Sequence, residues 1–104
     1  METRPVLFIV EAKRWFDKAN GNTYHACKIT RVSDGAVLLC PFQYGYGNHY
    51  QQTSLEKMAA EKWLPEEYCS EKNMYRYEFE NNYPIKWVVS DGTKRETVAL
   101  GLGG

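Results

Sequence analysis

The side chains that could bind a metal ion are His25, Cys27, Cys40 and His49, because imidazole and thiolate groups are preferred zinc ligands. His25 and Cys27 share one face of a predicted strand. However, no Cys-x-x-Cys pair anchors the four residues, so their spacing is not that of a zinc site. We predict no metal site and no cofactor.

The two histidines and several acidic residues could catalyse a reaction by general acid–base chemistry, and a histidine with a cysteine could form a nucleophile pair. Neither arrangement has a recognised catalytic spacing in this sequence. The segment 44–47 is not a phosphate-binding loop, since it lacks both the glycine spacing and the Lys-Ser/Thr pair of such loops. We therefore predict no catalytic residues and expect a protein that acts by binding.

Aromatic side chains are a more informative signal. They make up 14% of the 104 residues, and such rings build recognition surfaces as well as cores. Residues 44–50 combine two glycines with three tyrosines and a histidine, which is typical either of an exposed recognition loop or of a turn whose tyrosines cover the next helix. The predicted partner-binding residues are Tyr44, Tyr46, His49 and Tyr50 in this loop, with Trp15 and Tyr24 on the first hairpin.

A basic and aromatic first hairpin supports an alternative function, nucleic-acid binding. Its cations could neutralise phosphates while Trp15 or Tyr24 stacks on bases. The same side chains could equally form an amphipathic surface in which lysine and arginine stems cover rings. The formal net charge of zero argues against a strongly basic nucleic-acid binder. The candidate phosphate contacts are Lys13, Arg14, Lys28 and Arg31.

Three strands are predicted to position these residues, at 6–16, 23–32 and 36–44. Asn20-Gly21 and Ser33-Asp34-Gly35 separate them, and both are strong turn signals. Runs of β-branched and aromatic residues between such turns are typical of hairpins. We therefore predict a three-stranded antiparallel meander.

One amphipathic helix is predicted to pack on this meander. Thr53 and Glu56 have the spacing of a capping box at its start, and Pro65 is expected to end it after Leu64. Its apolar stripe consists of Leu55, Met58, Ala59 and Trp63. Such a stripe suits the coverage of one sheet face.

The C-terminal part is predicted less sharply. Residues 66–82 mix helical and extended signals, with a short second helix possible near 66–72. The Ser90-Asp91-Gly92 turn then predicts a C-terminal β-hairpin. The expected fold is therefore α+β, with a single domain at 1–100 and a flexible Gly-rich tail at 101–104.

Cysteine usage and hydropathy bear on the compartment. Three cysteines without close spacing are typical of a reducing environment, and no apolar run approaches a membrane span. We expect a cytoplasmic protein without membrane contact. Exposed edge strands would also permit a homodimer.

Two segments carry a resemblance to known proteins. The run Lys13-Arg14-Trp15-Phe16 with residues 21–25, and Tyr44-Gly45-Tyr46-Gly47 before an amphipathic helix, resemble small uncharacterised proteins of bacteriophages and their hosts. This resemblance implies an accessory or inhibitor protein whose partner is a protein of host or phage origin. It implies no catalytic residues.

Overall fold

The computed structural model describes residues 6–45, 47–70 and 73–103. It shows an α+β fold, in agreement with the predicted class. The strands are β1 Phe8–Asp17, β2 Asn22–Arg31, β3 Val37–Tyr44 and β4 Ile85–Asp91, and the helices are α1 His49–Ala60, α2 Tyr77–Glu80 and α3 Lys94–Gly101. Two 3₁₀ turns, Glu66–Tyr68 and Met74–Arg76, lie between α1 and α2.

The strands form one four-stranded sheet in the order β3-β2-β1-β4. The first three pair antiparallel, in the predicted meander. In contrast, β4 pairs parallel with β1, from Phe8 opposite Ile85 to Arg14 opposite Asp91. The sheet is therefore mixed, and the prediction of a separate C-terminal hairpin is wrong.

The final element is a helix where a strand was predicted. Thr93 caps α3, because its hydroxyl accepts a hydrogen bond from the Glu96 N–H (3.1 Å) and the Glu96 carboxylate accepts one from the Thr93 N–H (2.9 Å). This reciprocal capping box starts a helix, so the preceding Ser-Asp-Gly segment connects a strand to a helix. Gly101, which was assigned to the tail, is the buried last residue of α3.

Helix α1 begins four residues before the predicted capping box, which is therefore wrong. Thr53 lies within the helix, where its hydroxyl contacts His25, and the Glu56 carboxylate accepts a hydrogen bond from Gln52. The helix ends at Ala60 and not at Leu64. The backbone then turns through a positive φ of 58° at Lys62.

The sheet is covered on both faces. We call the side toward α1 the α1 face; it contains the main core, including Val10, Cys27 and Ile29, all fully buried. The opposite side, or α3 face, contains Ala26, which lies beneath Gly101 of α3. None of the helices in the described ranges is long and apolar enough to cross a membrane.

Candidate functional site: an aromatic cluster beside a histidine-anchored loop

Four aromatic side chains gather on the α3 face; we call them the aromatic cluster. Trp15, Tyr24 and Phe42 form a compact triangle, with ring centroids 5.7 Å (Trp15–Tyr24), 5.0 Å (Tyr24–Phe42) and 6.2 Å (Trp15–Phe42) apart. Tyr44 adds an edge-on contact at 5.8 Å from Tyr24. Each ring of the triangle therefore contacts the other two, and the cluster spans β1, β2 and β3.

Strand register explains why these rings meet. Trp15 lies opposite Tyr24 across β1 and β2, and Tyr24 lies opposite Tyr44 across β2 and β3, so all three share a face. Phe42 joins them because the register of β2 and β3 shifts next to Ala26. Such a β-bulge adds a residue to one strand and redirects its side chains.

The cluster is partly open to solvent. The Tyr44 side chain is 53% exposed, whereas Trp15, Tyr24 and Phe42 are half-buried. The Lys94 Nζ lies 5.7 Å from the Trp15 ring centroid, within reach of a cation–π interaction. The α3 face thus presents a preformed aromatic surface with a cation at one side.

The loop that follows Tyr44 is held by a buried polar network. The His25 Nδ1–H donates to the Gly45 carbonyl at 3.1 Å, which leaves the His25 Nε2 to accept from the Thr53 hydroxyl at 2.9 Å. The Thr53 Oγ1 in turn lies 3.4 Å from the His49 Nδ1. Burial lowers the pKa of His25, partly offset by the Gly45 hydrogen bond, and this shift favours the neutral ring that the two hydrogen bonds require.

Gly45 is the residue that this network requires. Its φ is +154°, and a Cβ there would lie 2.5 Å from the His49 Nδ1 and 2.8 Å from the His25 Cε1. Only glycine fits such a backbone conformation and such a close approach without strain. The network therefore fixes the path of the chain from β3 into α1.

The Thr53–His25 hydrogen bond has the geometry of a nucleophile and its base, but its surroundings indicate a structural role. Thr53 and His25 are only 8% and 0% exposed, respectively. The second His25 ring nitrogen, Nδ1, bonds a backbone carbonyl instead of a carboxylate. A buried polar pair that is fully hydrogen-bonded typically specifies a single packing arrangement.

The two sheet cysteines lie directly opposite each other, Cys27 on β2 and Cys40 on β3. Both are buried free thiols. The hydrogen bond with Cys27, together with burial, raises the pKa of the Cys40 thiol. In the described part of the chain, no three His, Cys, Asp or Glu side chains come together in a way that could hold a metal ion.

The structure separates the six predicted partner-binding residues. It brings Trp15, Tyr24 and Tyr44 together in the aromatic cluster. Tyr50 points into the core, where it is 5% exposed and contacts Trp87 edge-on at 5.9 Å. His49 is half-buried and joins the polar network through Thr53, and Tyr46 lies outside the described residues.

The four candidate phosphate contacts lie on two opposite faces. Register places Lys13 and Lys28 on the α3 face and Arg14 and Arg31 on the α1 face. The strand arrangement therefore does not bring these four cations onto one surface.

Both arginines already have internal partners. Arg31 forms two hydrogen bonds with Asp34 (2.9 and 2.6 Å) and lies 4.5 Å from the Trp63 ring centroid. The Arg31 guanidinium lowers the pKa of Asp34 to about 2. Arg14 contacts Asp91 at 3.4 Å and donates to the Gly47 carbonyl at 3.2 Å.

Sequence reasoning missed two features. Phe42 is not among the predicted binding residues, because the bulge that brings it to the cluster cannot be placed from sequence. A second exposed set of rings borders a groove of about 350 Å³ between α1 and α2. It consists of Tyr75, Phe79 and Tyr83, exposed by 46%, 57% and 50%. In the sequence, only the aromatic residues of segment 66–82, with Tyr83 directly after it, indicated this set.

Comparisons of this chain with protein-family models, with curated proteins and with solved structures found no match.

Proposed function

We propose that this protein acts without catalysis, by binding another protein through the aromatic cluster. The observation that carries the proposal is the compact ring triangle with a half-exposed tyrosine beside it. Tyrosine and tryptophan are enriched at protein interfaces, where they dominate the binding energy. Rings that already contact one another lose little conformational entropy on binding, so this surface is preorganised.

The arrangement of rings and cations favours a protein partner over nucleic acid. Ring centroids 5.0 to 6.2 Å apart leave no room for a base between the rings. Two of the cations predicted to contact phosphates already form ion pairs, Arg14 with Asp91 and Arg31 with Asp34. Binding of phosphate there would compete with these internal ion pairs.

Nucleic-acid binding remains a second candidate because of one specific feature. An open cleft of about 530 Å³ lies beside the cluster, and its lining includes Arg14, Lys18 and Trp15. A single strand could place phosphates near the two cations. Such binding would weaken steeply with salt, since each neutralised phosphate releases counterions.

The nature of the protein partner follows from the resemblance to small phage-type proteins. We propose a stoichiometric accessory or inhibitor role toward a protein of host or phage origin. An aromatic surface of this kind would cover a functional surface on that protein.

Site-specific photo-crosslinking tests the proposal. A photo-reactive phenylalanine analogue replaces Tyr44 in one sample and Tyr83, a similarly exposed tyrosine outside the cluster, in the control. Both are irradiated in bacterial extracts with and without phage infection. We expect a discrete product from position 44 that Trp15→Ala abolishes. No product, or identical products from both positions, would contradict the proposal.

Titration of labelled single- and double-stranded DNA and RNA separates the two candidates. We expect no saturable binding at physiological salt. Binding that persists there, falls steeply with ionic strength and disappears in the Arg14→Gln and Lys18→Gln variants would instead support the second candidate.

A further inference from the structure

The outer edge of β4 exposes backbone hydrogen-bonding groups. The Phe8 N–H donates to the Pro84 carbonyl (3.2 Å), and the Gly92 N–H donates to the Arg14 carbonyl (2.8 Å). In a parallel ladder, alternate residues bond the same neighbour, so the even-numbered residues of β4 face β1. The odd-numbered residues therefore direct their N–H and C=O groups away from the sheet; these are Ile85, Trp87, Val89 and Asp91.

Ile85, at the start of this edge, is buried, but little covers the edge from Val88 to Asp91. Among the described elements, β1 is the only one that packs extensively on β4. Val88 and Val89 are 44% and 39% exposed, and because they are adjacent they expose apolar surface on both faces of the sheet. Unpaired strand edges of this kind are templates for pairing with another chain.

The other edge of the sheet is different. In β3, Pro41 lacks a backbone N–H, and the register shift beside it interrupts the ladder. Proline and bulges are the devices by which natural sheets prevent edge pairing. The β4 segment Ile85–Asp91 contains neither a proline nor a register irregularity.

The β4 edge is complementary to itself. A two-fold axis perpendicular to the sheet and next to Val88 would place β4 of a second copy antiparallel beside β4 of the first. In this register Val88 faces Val88 of the second copy, and Trp87 faces Val89 of the second copy. The outward-directed residues of both strands would then meet as hydrogen-bonded pairs.

The charges of β4 favour the same antiparallel arrangement. The strand carries Lys86 near its start and Asp91 at its end. An in-register parallel copy would place Lys86 opposite Lys86 and Asp91 opposite Asp91, whereas the antiparallel register places Lys86 opposite Ser90 and Asp91 opposite Ile85 and so separates the like charges.

We propose that β4 pairs antiparallel with β4 of a second copy of this chain, which joins two four-stranded sheets into one continuous sheet. The aromatic cluster lies on β1, β2 and β3, so the homodimer would present two such clusters. This inference does not depend on the proposed function, because the two surfaces share no residue.

Disulfide trapping tests the register. Val88→Cys is introduced into a Cys69→Ser background, because Cys69 is the partly exposed native thiol. Residues on the two-fold axis form a non-hydrogen-bonded pair with Cα atoms about 4.5 Å apart, which a disulfide can bridge. Val37→Cys on β3 is the matched control, since Val37 and Val88 are both 44% exposed.

Under mild oxidation, we expect the Val88→Cys variant to form a covalent dimer at least tenfold faster than the Val37→Cys variant. Equal rates, or no dimer from position 88, would overturn the proposal.

A proline substitution provides a second measurement. Val89→Pro removes an outward N–H without removing a donor of the β1–β4 ladder, and Val89→Thr is its control. In sedimentation experiments we expect dimers of the wild type and of Val89→Thr, and a folded monomer for Val89→Pro. A wild type that is monomeric up to millimolar concentration would overturn the inference. If Val89→Pro does not fold, the rates of disulfide formation in the Val88→Cys and Val37→Cys variants test the inference.

Discussion

The two ends of segment 44–50 show how the same residue types serve opposite purposes. Tyr44, at its start, is 53% exposed, whereas Tyr50, at its end, is 5% exposed. Similarly, a Cβ on Gly45 would collide with two histidines, while a Cβ on Gly47 would meet open space. The difference arises because one end of the loop belongs to a strand edge and the other to a packed helix.

The largest expected effect in this comparison is that of Tyr50→Ala. The side chain packs against Trp87 within the main core, and truncation of a large buried aromatic residue lowers the free energy of unfolding by about 3–5 kcal/mol. Chemical denaturation measures this change. A loss below about 1 kcal/mol would contradict the core position of Tyr50.

Gly45→Ala should also be strongly destabilising. The φ of +154° is unfavourable for alanine, and both the backbone strain and the contact with the histidines cost on the order of 1–3 kcal/mol each. Gly47→Ala is the matched control: its φ is +66° with open space around it, so only about 1 kcal/mol is expected. Thermal unfolding of the two variants compares them, and equal losses would refute the role of the histidine network.

A pH dependence should follow from His25. Its pKa is lowered by burial in the folded state, so the unfolded chain binds a proton more readily than the folded protein does. Stability is then greatest above the unfolded pKa of about 6.5 and falls as the pH decreases through that value. Denaturation between pH 7 and pH 5 should show this decrease in the wild type and a flatter profile in His25→Gln. Identical profiles would show that another group is responsible.

Tyr44→Ala should have the smallest effect on stability, within about 0.5 kcal/mol, because the side chain is half-exposed at the sheet edge. In affinity capture with immobilised protein, the same variant should retain less of the partner identified by crosslinking than the wild type does. A stability loss comparable to that of Tyr50→Ala would remove the distinction between the two ends of the loop.

The meander could be predicted from sequence because its signals are local. Asn20-Gly21 and Ser33-Asp34-Gly35 specify tight turns, and the residues between them alternate in a β-strand pattern. The observed strands begin and end within two residues of the predicted ranges. The α+β class followed from these strands and one amphipathic helix.

The wrong prediction of a C-terminal β-hairpin shows the limit of local sequence signals. Ser90-Asp91-Gly92 is compatible with a hairpin, but Thr93 and Glu96 form a capping box that starts a helix. The Thr53–Glu56 pair has the same spacing and forms no capping box, because the Thr53 hydroxyl bonds His25, 28 residues earlier in the chain. Spacing alone does not distinguish these two cases.

The amino-acid sequence by itself determined the meander, the absence of a recognised catalytic motif and the abundance of aromatic residues, since all of these depend on composition or on neighbours along the chain. Only the tertiary structure decided which aromatic residues form a surface. Strand register brought Trp15, Tyr24 and Tyr44 together, a bulge added Phe42, and packing against the sheet buried Tyr50. Those outcomes depend on contacts between residues far apart in the chain, where sequence periodicity carries no information about which side chains meet.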